Sequence, residues 1–187
     1  KEQILEEDAT VAAIHAHSED FDPRTEYGLR SMQVVTACCD AFAHGANDVA
    51  NSIGPFAALY VIYRDGQVSK KAEMGDDAYW ILSLGAIGIV LGLALYGYKI
   101  LHAIGTKLVK LSPSRGICIE LGAALVIIIG SRQGWPLSTT HCQVGATFGV
   151  GILEGGKGLN WWILGKTVIG WVITLVVVGF TAAGLFS

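Results

Sequence analysis

Between Asp40 and Asn51 the chain reads DAFAHGANDVAN. On a helix Asp40, His44, Asn47, Asp48 and Asn51 fall at i, i+4, i+7, i+8 and i+11, which is one face. The surrounding stretch from Leu29 to Tyr63 is otherwise almost wholly apolar. A carboxylate at depth in a bilayer costs about 2.5–3.5 kcal/mol on insertion scales, so such groups normally face a bundle interior and mark an ion path. Asp48 and Asn51, one turn apart, offer hard oxygen donors to one point, which suits a small hydrated cation. A ladder of asparagines that glues helices together is the plainer alternative, but glue does not call for an ionised acid.

A second polar run, GWPLSTTHC, spans Gly134 to Cys142. Proline is at home in a first helical turn, and serine and threonine favour helix N-termini. A helix starting near Leu137 presents free backbone N–H groups, the positive end of its dipole, and the hydroxyls of Ser138, Thr139 and Thr140, which together make an anion site. An ordinary capped helix end is the alternative. No catalytic acid or oxyanion frame accompanies Ser138 and His141, so the chain is not read as an enzyme. His44 and His141 read as hydrogen-bonded core histidines rather than metal ligands. Glu120 either anchors at an interface beside Arg115 or belongs to the ion path. Arg132 either lends positive potential to a cavity or caps its mouth. For Asp40, pairing with a helix hydroxyl is favoured over a place on the pathway.

The elements that must hold these groups are membrane helices. Of the 187 residues, 52% are hydrophobic and only 16% charged, against roughly a quarter charged in soluble domains. The 24 glycines are scattered through apolar runs, as in packed membrane helices. The fold class is therefore an all-α membrane protein. Residues 1–28, which hold Glu2, Glu6, Glu7, Asp8, Glu19, Asp20, Asp22 and Glu26 against Lys1 and Arg24, read as a hydrophilic acidic loop or tail, helical around Ile4 to Ile14. Residues 29–187 form the transmembrane part. Residues 29–63 are too long for one straight span, and Gly45, Gly54 and Pro55 offer break points for an interrupted or bent helix. Residues 78–98 are an ordinary span, 117–153 a helical hairpin around the break GSRQGWP, and 162–187 a last span. Cys38, Cys39, Cys118 and Cys142 lie in or beside apolar runs and read as small core residues. There is no initiator Met, basic n-region or cleavage site; the expectation is a piece of a larger protein.

Lys99, Lys107, Lys110 and Arg115 lie between the second and third apolar blocks with no acid among them, while the charges between the first two blocks nearly cancel (Arg64, Lys70 and Lys71 against Asp65, Glu73, Asp76 and Asp77). The positive-inside rule places residues 99–116, and with them 1–28, in the cytosol. A hairpin that returns to its starting side puts the C-terminus outside.

GANDVANSIGP at 45–55, GWPLSTTHCQVG at 134–145 and ICIELG at 117–122 together resemble motifs of the inorganic phosphate transporter (PiT) family of sodium- or proton-coupled phosphate symporters. The resemblance covers roughly Ser31 to Ser187. It implies one inverted repeat of a transporter, with a broken helix and a helical hairpin, in the order of a single half; residues 1–27 resemble the end of the long hydrophilic loop between the halves of eukaryotic members, which implies the C-terminal half. It implies sodium binding by Asp48 and Asn51, phosphate contacts from Ser138, Thr139, Thr140 and Asn47, and a transport-associated role for Glu120. No cofactor is expected, and sodium enters as co-substrate. The implied partners are inorganic phosphate, sodium or a proton, the N-terminal half of the same transporter and the lipid bilayer, with a homo-oligomer compatible and no nucleic acid. A plasma membrane location fits. Proton coupling, a non-transporting receptor and a passive anion pore are the competing functions.

Overall fold

A computed structural model describes residues 9–68 and 74–186. The acids from Glu2 to Asp8 and the loop charges Lys70, Lys71 and Glu73 lie outside the described residues. A short helix α1 (Ala9–His17) precedes α2 (Pro23–Asp65), whose 43 residues extend about 65 Å. Asp22 caps α2 by accepting from the Thr25 N–H and hydroxyl, each at 3.0 Å, and Pro23 sits in the first turn, where no N–H is needed. Gly66, at φ +66°, stops the helix by returning its N–H to the Ile62 carbonyl.

The interruption expected at Gly45 or Gly54–Pro55 does not occur; α2 is continuous, with Pro55 inside it. Glycine permits a break without imposing one, and proline removes only one intrahelical bond. That lost bond is the one the Asn51 carbonyl would otherwise accept.

Beyond a turn at Asp76–Ala78 the chain continues as α3 (Tyr79–Gly92), a π-helical turn (Leu93–Gly97) and α4 (Tyr98–Lys107). The span expected to end at residue 98 thus remains helical to Lys107. The hairpin follows as α5 (Pro113–Arg132) and α6 (Thr139–Leu153), and α7 (Trp161–Phe186) closes the chain. Tyr79–Gly97, Pro113–Arg132 and Trp161–Phe186 are long and apolar enough to cross a membrane.

Helices α2 and α5 run parallel, as successive contacts show: Thr36 with Glu120, Ala43 with Ala124 and Ile127, Asn47 with Ser131. On its other side α2 packs Ile53 against Ala78 and Ile81, where Trp80 meets Phe56 and Tyr60 edge-on at 5.9 Å. Leu108, Val144 and Leu159 form a third cluster at the start of α7. No described residue of α7 is buried, and its large apolar side chains (Ile169, Leu175, Phe180) face outward, as lipid-facing or partner-facing surface does. The cysteines depart from expectation in the same way. Cys38, Cys39 and Cys118 are exposed and Cys142 is half-buried, all four as free thiols, because lipid accepts a small apolar group as readily as a core does.

The acidic opening segment is not a free tail, at least from Ala9 onward. Arg115, 4% exposed, pairs with Glu154, 10% exposed. Arg115 also donates to the Glu19 carbonyl at 2.8 Å, and the Glu19 N–H donates to Glu154 at 2.8 Å. Phe21 lies under the guanidinium, 4.4 Å from ring centre. Lys110 pairs with Asp20, and Glu26 accepts from Ser114. Asn160 ties the last carbonyls before the 108–112 loop to α7, its N–H donating to Leu108 at 3.0 Å and its side chain to Lys107 at 3.1 Å. The chain segment 9–22 is therefore clasped to the same end of the bundle as 106–115 and 154–160.

Candidate functional site

The polar face of α2 is turned onto the hairpin. Asp48 Oδ2 lies 3.0 Å from His44 Nε2, and its Oδ1 accepts the Thr139 hydroxyl at 2.8 Å. Thr139, 2% exposed, is the first residue of α6. A carboxylate offers about four lone-pair positions, so two bonds leave Asp48 able to ligate a cation. Asn51 donates from Nδ2 to Asn47 Oδ1 at 2.8 Å and to the Leu137 carbonyl at 3.0 Å. Asn47 donates in turn to the Ser131 hydroxyl at 2.8 Å. Both asparagines thus fasten α2 to the hairpin tip through their nitrogens. The Asn51 carbonyl has no N–H to accept from Pro55, and with the side-chain oxygen of Asn51 it is an oxygen that the site can offer a ligand. An open groove of about 660 Å³, lined by Asn47, Asn51, Ser131 and Pro136, leads to them. Among the described residues no three His, Cys, Asp or Glu side chains converge; the donors here are one carboxylate with amide and hydroxyl oxygens.

The tip has its own local logic. Gly134, at φ +70°, ends α5; the Gly134 N–H returns to Ser131 and the Trp135 N–H to Gly130, at 3.1 and 2.9 Å, as in a Schellman close. Leu137 folds back over Gly130, with its Cδ1 inside the space that a Cβ on residue 130 would need. A Gly130→Ala change must push Leu137 aside and with it the carbonyl that holds Asn51. The expected result is a stability loss of about 1–3 kcal/mol, which unfolding curves check.

Ser138 caps α6, its hydroxyl accepting the His141 N–H at 3.4 Å. The first N–H groups of the helix have no intrahelical partner. The three consecutive hydroxyls do not converge. Thr139 turns to Asp48, whereas Ser138 and Thr140 line a second groove of about 740 Å³ with Lys99, His141 and Trp171. His141 stacks on Trp171 with centroids 3.7 Å apart, and His44 is engaged by Asp48, so both histidines serve as packed or bonded groups.

Glu120 stands apart from Asp48 and accepts the Thr36 hydroxyl. Its expected neighbour Arg115 pairs with Glu154 instead. Buried Asp40 Oδ1 has no hydrogen-bond partner among the described residues, and the Thr36 hydroxyl one turn before it faces Glu120 and the Gln33 carbonyl. Arg132 is exposed at the end of α5. Sequence reasoning misses Ser131, Thr36 and Lys99. Thr36 extends the polar face of α2 by one turn, a signal present in the pattern; Lys99 reads from sequence as a loop charge because the apolar run stops one residue before it.

The sequence model described as "Phosphate transporter family" matches residues 6–182. The phosphate-repressible phosphate permease of Neurospora crassa is 42% identical over 178 residues, which covers 95% of this chain and 30% of that protein. A sodium-dependent phosphate transporter of Toxoplasma gondii is 40% identical over 210 residues, 97% of this chain and 24% of its own length. A solved structure titled as the sodium-dependent phosphate transporter is similar with a TM-score of 0.70 and 37% identity, covering 84% of this chain and 39% of that one. The chain spans about a quarter to two fifths of the proteins that it matches.

Proposed function

The chain belongs to the phosphate transporter family, and from that premise we propose that it supplies one half of the site of a sodium-coupled inorganic phosphate symporter. The observation that carries this reading is the Thr139–Asp48 hydrogen bond at 2.8 Å, which joins a membrane carboxylate to the positive end of a helix. Sodium is held by Asp48 with the side-chain and carbonyl oxygens of Asn51, and Asn47, bonded to Asn51 and Ser131, fixes the face of α2 toward the hairpin tip. Phosphate is held by the α6 N-terminus, with Ser138 and Thr140 as hydroxyl donors. The N-terminal half of the same transporter completes the site by supplying equivalent groups across a pseudo-twofold axis.

The coupling follows from electrostatics. Moving one net negative charge into a negative compartment costs about 2.3 kcal/mol per 100 mV, so an importer of phosphate must bring cations. Sodium on Asp48 cancels the charge that would otherwise repel phosphate at the adjacent helix end, so each ion improves the site for the other. In this reading 1–28 and 99–116 face the cytosol of a multi-pass plasma membrane protein, and Glu120 serves transport from α5, beside Thr36 of α2. Whole transporter in proteoliposomes is expected to accumulate phosphate when an inward sodium gradient is the sole driving force. Equal phosphate flux with and without sodium would point to a passive pore, and no flux with intact binding to a receptor. A proton-driven version is favoured by one contact, His44 at 3.0 Å from Asp48; accumulation under a proton gradient in sodium-free buffer identifies it.

A further inference from the structure

The groove beside the α6 N-terminus that Ser138 and Thr140 line contains the ammonium group of Lys99 and, among the described residues, no carboxylate. Lys99 Nζ lies 5.3 Å from the centre of the Tyr96 ring, and a ring face at an exposed position attracts a cation only weakly. Two further threonines line the groove, but their protons are committed to their own helix. Thr167 donates to the Ile163 carbonyl at 2.9 Å and Thr174 to the Gly170 carbonyl at 2.8 Å. Ser138 accepts the His141 N–H, which leaves its own proton to give. An ammonium and hydroxyl donors that share one groove without an acid make a set for an anion.

A local irregularity puts Lys99 there. From Leu93 to Gly97 the chain is π-wound, and the Tyr98 N–H bonds the Leu93 carbonyl five residues back. An extra residue in one turn rotates everything after it by about 100° relative to a continuous α-helix. Without that turn Lys99 would project from a different face. Gly97 permits the winding, since a Cβ there would stand 2.7 Å from Leu93 Cδ2. The sodium donors lie on another side of α6: Thr139 bonds Asp48, while Thr140 lines the Lys99 groove. We propose that Lys99 is a phosphate-binding residue, whose ammonium meets, from α4, the anion held at the α6 N-terminus. A sodium on Asp48 balances only part of the charge of phosphate, and lysine is a compact point charge suited to phosphate oxygens. The assignment deepens the symport reading and rests on it for the identity of the anion.

The test is equilibrium binding of radioactive inorganic phosphate to the whole purified transporter in saturating sodium, in wild type, Lys99→Gln and Lys99→Arg. Lys99→Gln is expected to weaken phosphate by about ten- to a hundredfold, the range for one charge-assisted contact. Sodium bound in the absence of phosphate, and the melting temperature, should stay at wild-type values. Lys99→Arg keeps the charge and should recover most of the affinity. In proteoliposome uptake the Lys99→Gln loss should appear in KM for phosphate rather than in the maximal rate. Phosphate affinity within about twofold of wild type in folded Lys99→Gln overturns the proposal, whether the lysine then pairs with an acid of the N-terminal half or with lipid headgroups. Equal losses in Lys99→Gln and Lys99→Arg count against it too, because charge is then not what matters. Should Lys99→Gln fail to fold, wild-type protein carries the test: phosphate with sodium should slow acetylation of Lys99 by acetic anhydride, with exposed Lys157 as the reference. Equal rates with and without phosphate overturn the assignment. Wild type that binds no phosphate would defeat the symport reading and this assignment with it, whereas normal wild-type binding beside an unaffected Lys99→Gln defeats this assignment alone.

Discussion

Asp48→Asn is expected to abolish sodium-driven phosphate uptake in protein that still folds and reaches the membrane. The substitution keeps the shape of the side chain and an oxygen for the Thr139 hydroxyl, so the α2–hairpin contact survives. What it removes is the one full negative charge among the donors proposed for sodium. Two unit charges at 4 Å interact by about 4 kcal/mol in surroundings of intermediate dielectric. Asp48 and His44 keep about a third of their side-chain surface exposed, and screening lowers the loss to about 2–3 kcal/mol, on the order of a hundredfold in sodium affinity. Because phosphate enters beside the cation, its own affinity should fall in parallel. Uptake in proteoliposomes, measured against sodium and phosphate separately, gives both numbers. Uptake at wild-type rate and sodium dependence would remove Asp48 from the mechanism.

The polar face of α2 is legible in the sequence because Asp40, His44, Asn47, Asp48 and Asn51 keep a 3.6-residue period inside an apolar stretch, where only a shared inward face makes five polar groups tolerable. The hairpin is legible for a similar reason: Gly134 and Pro136 beside polar residues cannot continue a spanning helix. The direction of individual side chains is not. Thr139 and Thr140 are offset by about 100° around α6 and Ser138 is its extended cap, so consecutive hydroxyls cannot all meet one point; only Thr139 reaches Asp48, and the other two line the groove with Lys99. The missing break in α2 has another cause. Gly45 and Gly54 lower the cost of a break, but α2 stays continuous while Ala43, Asn47 and Ile53 pack it against its neighbours. Burial of the cysteines is not legible either, because hydropathy cannot tell a lipid-facing position from a core one.

The clasp at the 108–116 end lies wholly beyond sequence reasoning, since Arg115 and Glu154 are 39 residues apart and charge counting along the chain treats each as solvated. Its consequence is the second large expected effect. Arg115 and Glu154 are nearly buried, and breaking such a pair from one side leaves an uncompensated charge that costs about 3–5 kcal/mol. Arg115→Ala should lose more than the pair, because the Glu19 carbonyl and the Phe21 ring also rest on the guanidinium. Denaturation of the purified protein should therefore begin at markedly lower temperature, and limited proteolysis should cut within 18–22 first, where the segment loses its anchor. Glu154→Gln keeps the hydrogen bonds and loses the charge, so it should fall between wild type and Glu154→Ala. The double variant Arg115→Met/Glu154→Leu removes both charges and fills the space; it should recover most of the single-variant loss. If Arg115→Ala melts with wild type, the pair contributes nothing and 9–22 is held by other contacts. If the double variant is as damaged as the singles, the damage comes from the lost Glu19 and Phe21 contacts rather than from a stranded charge.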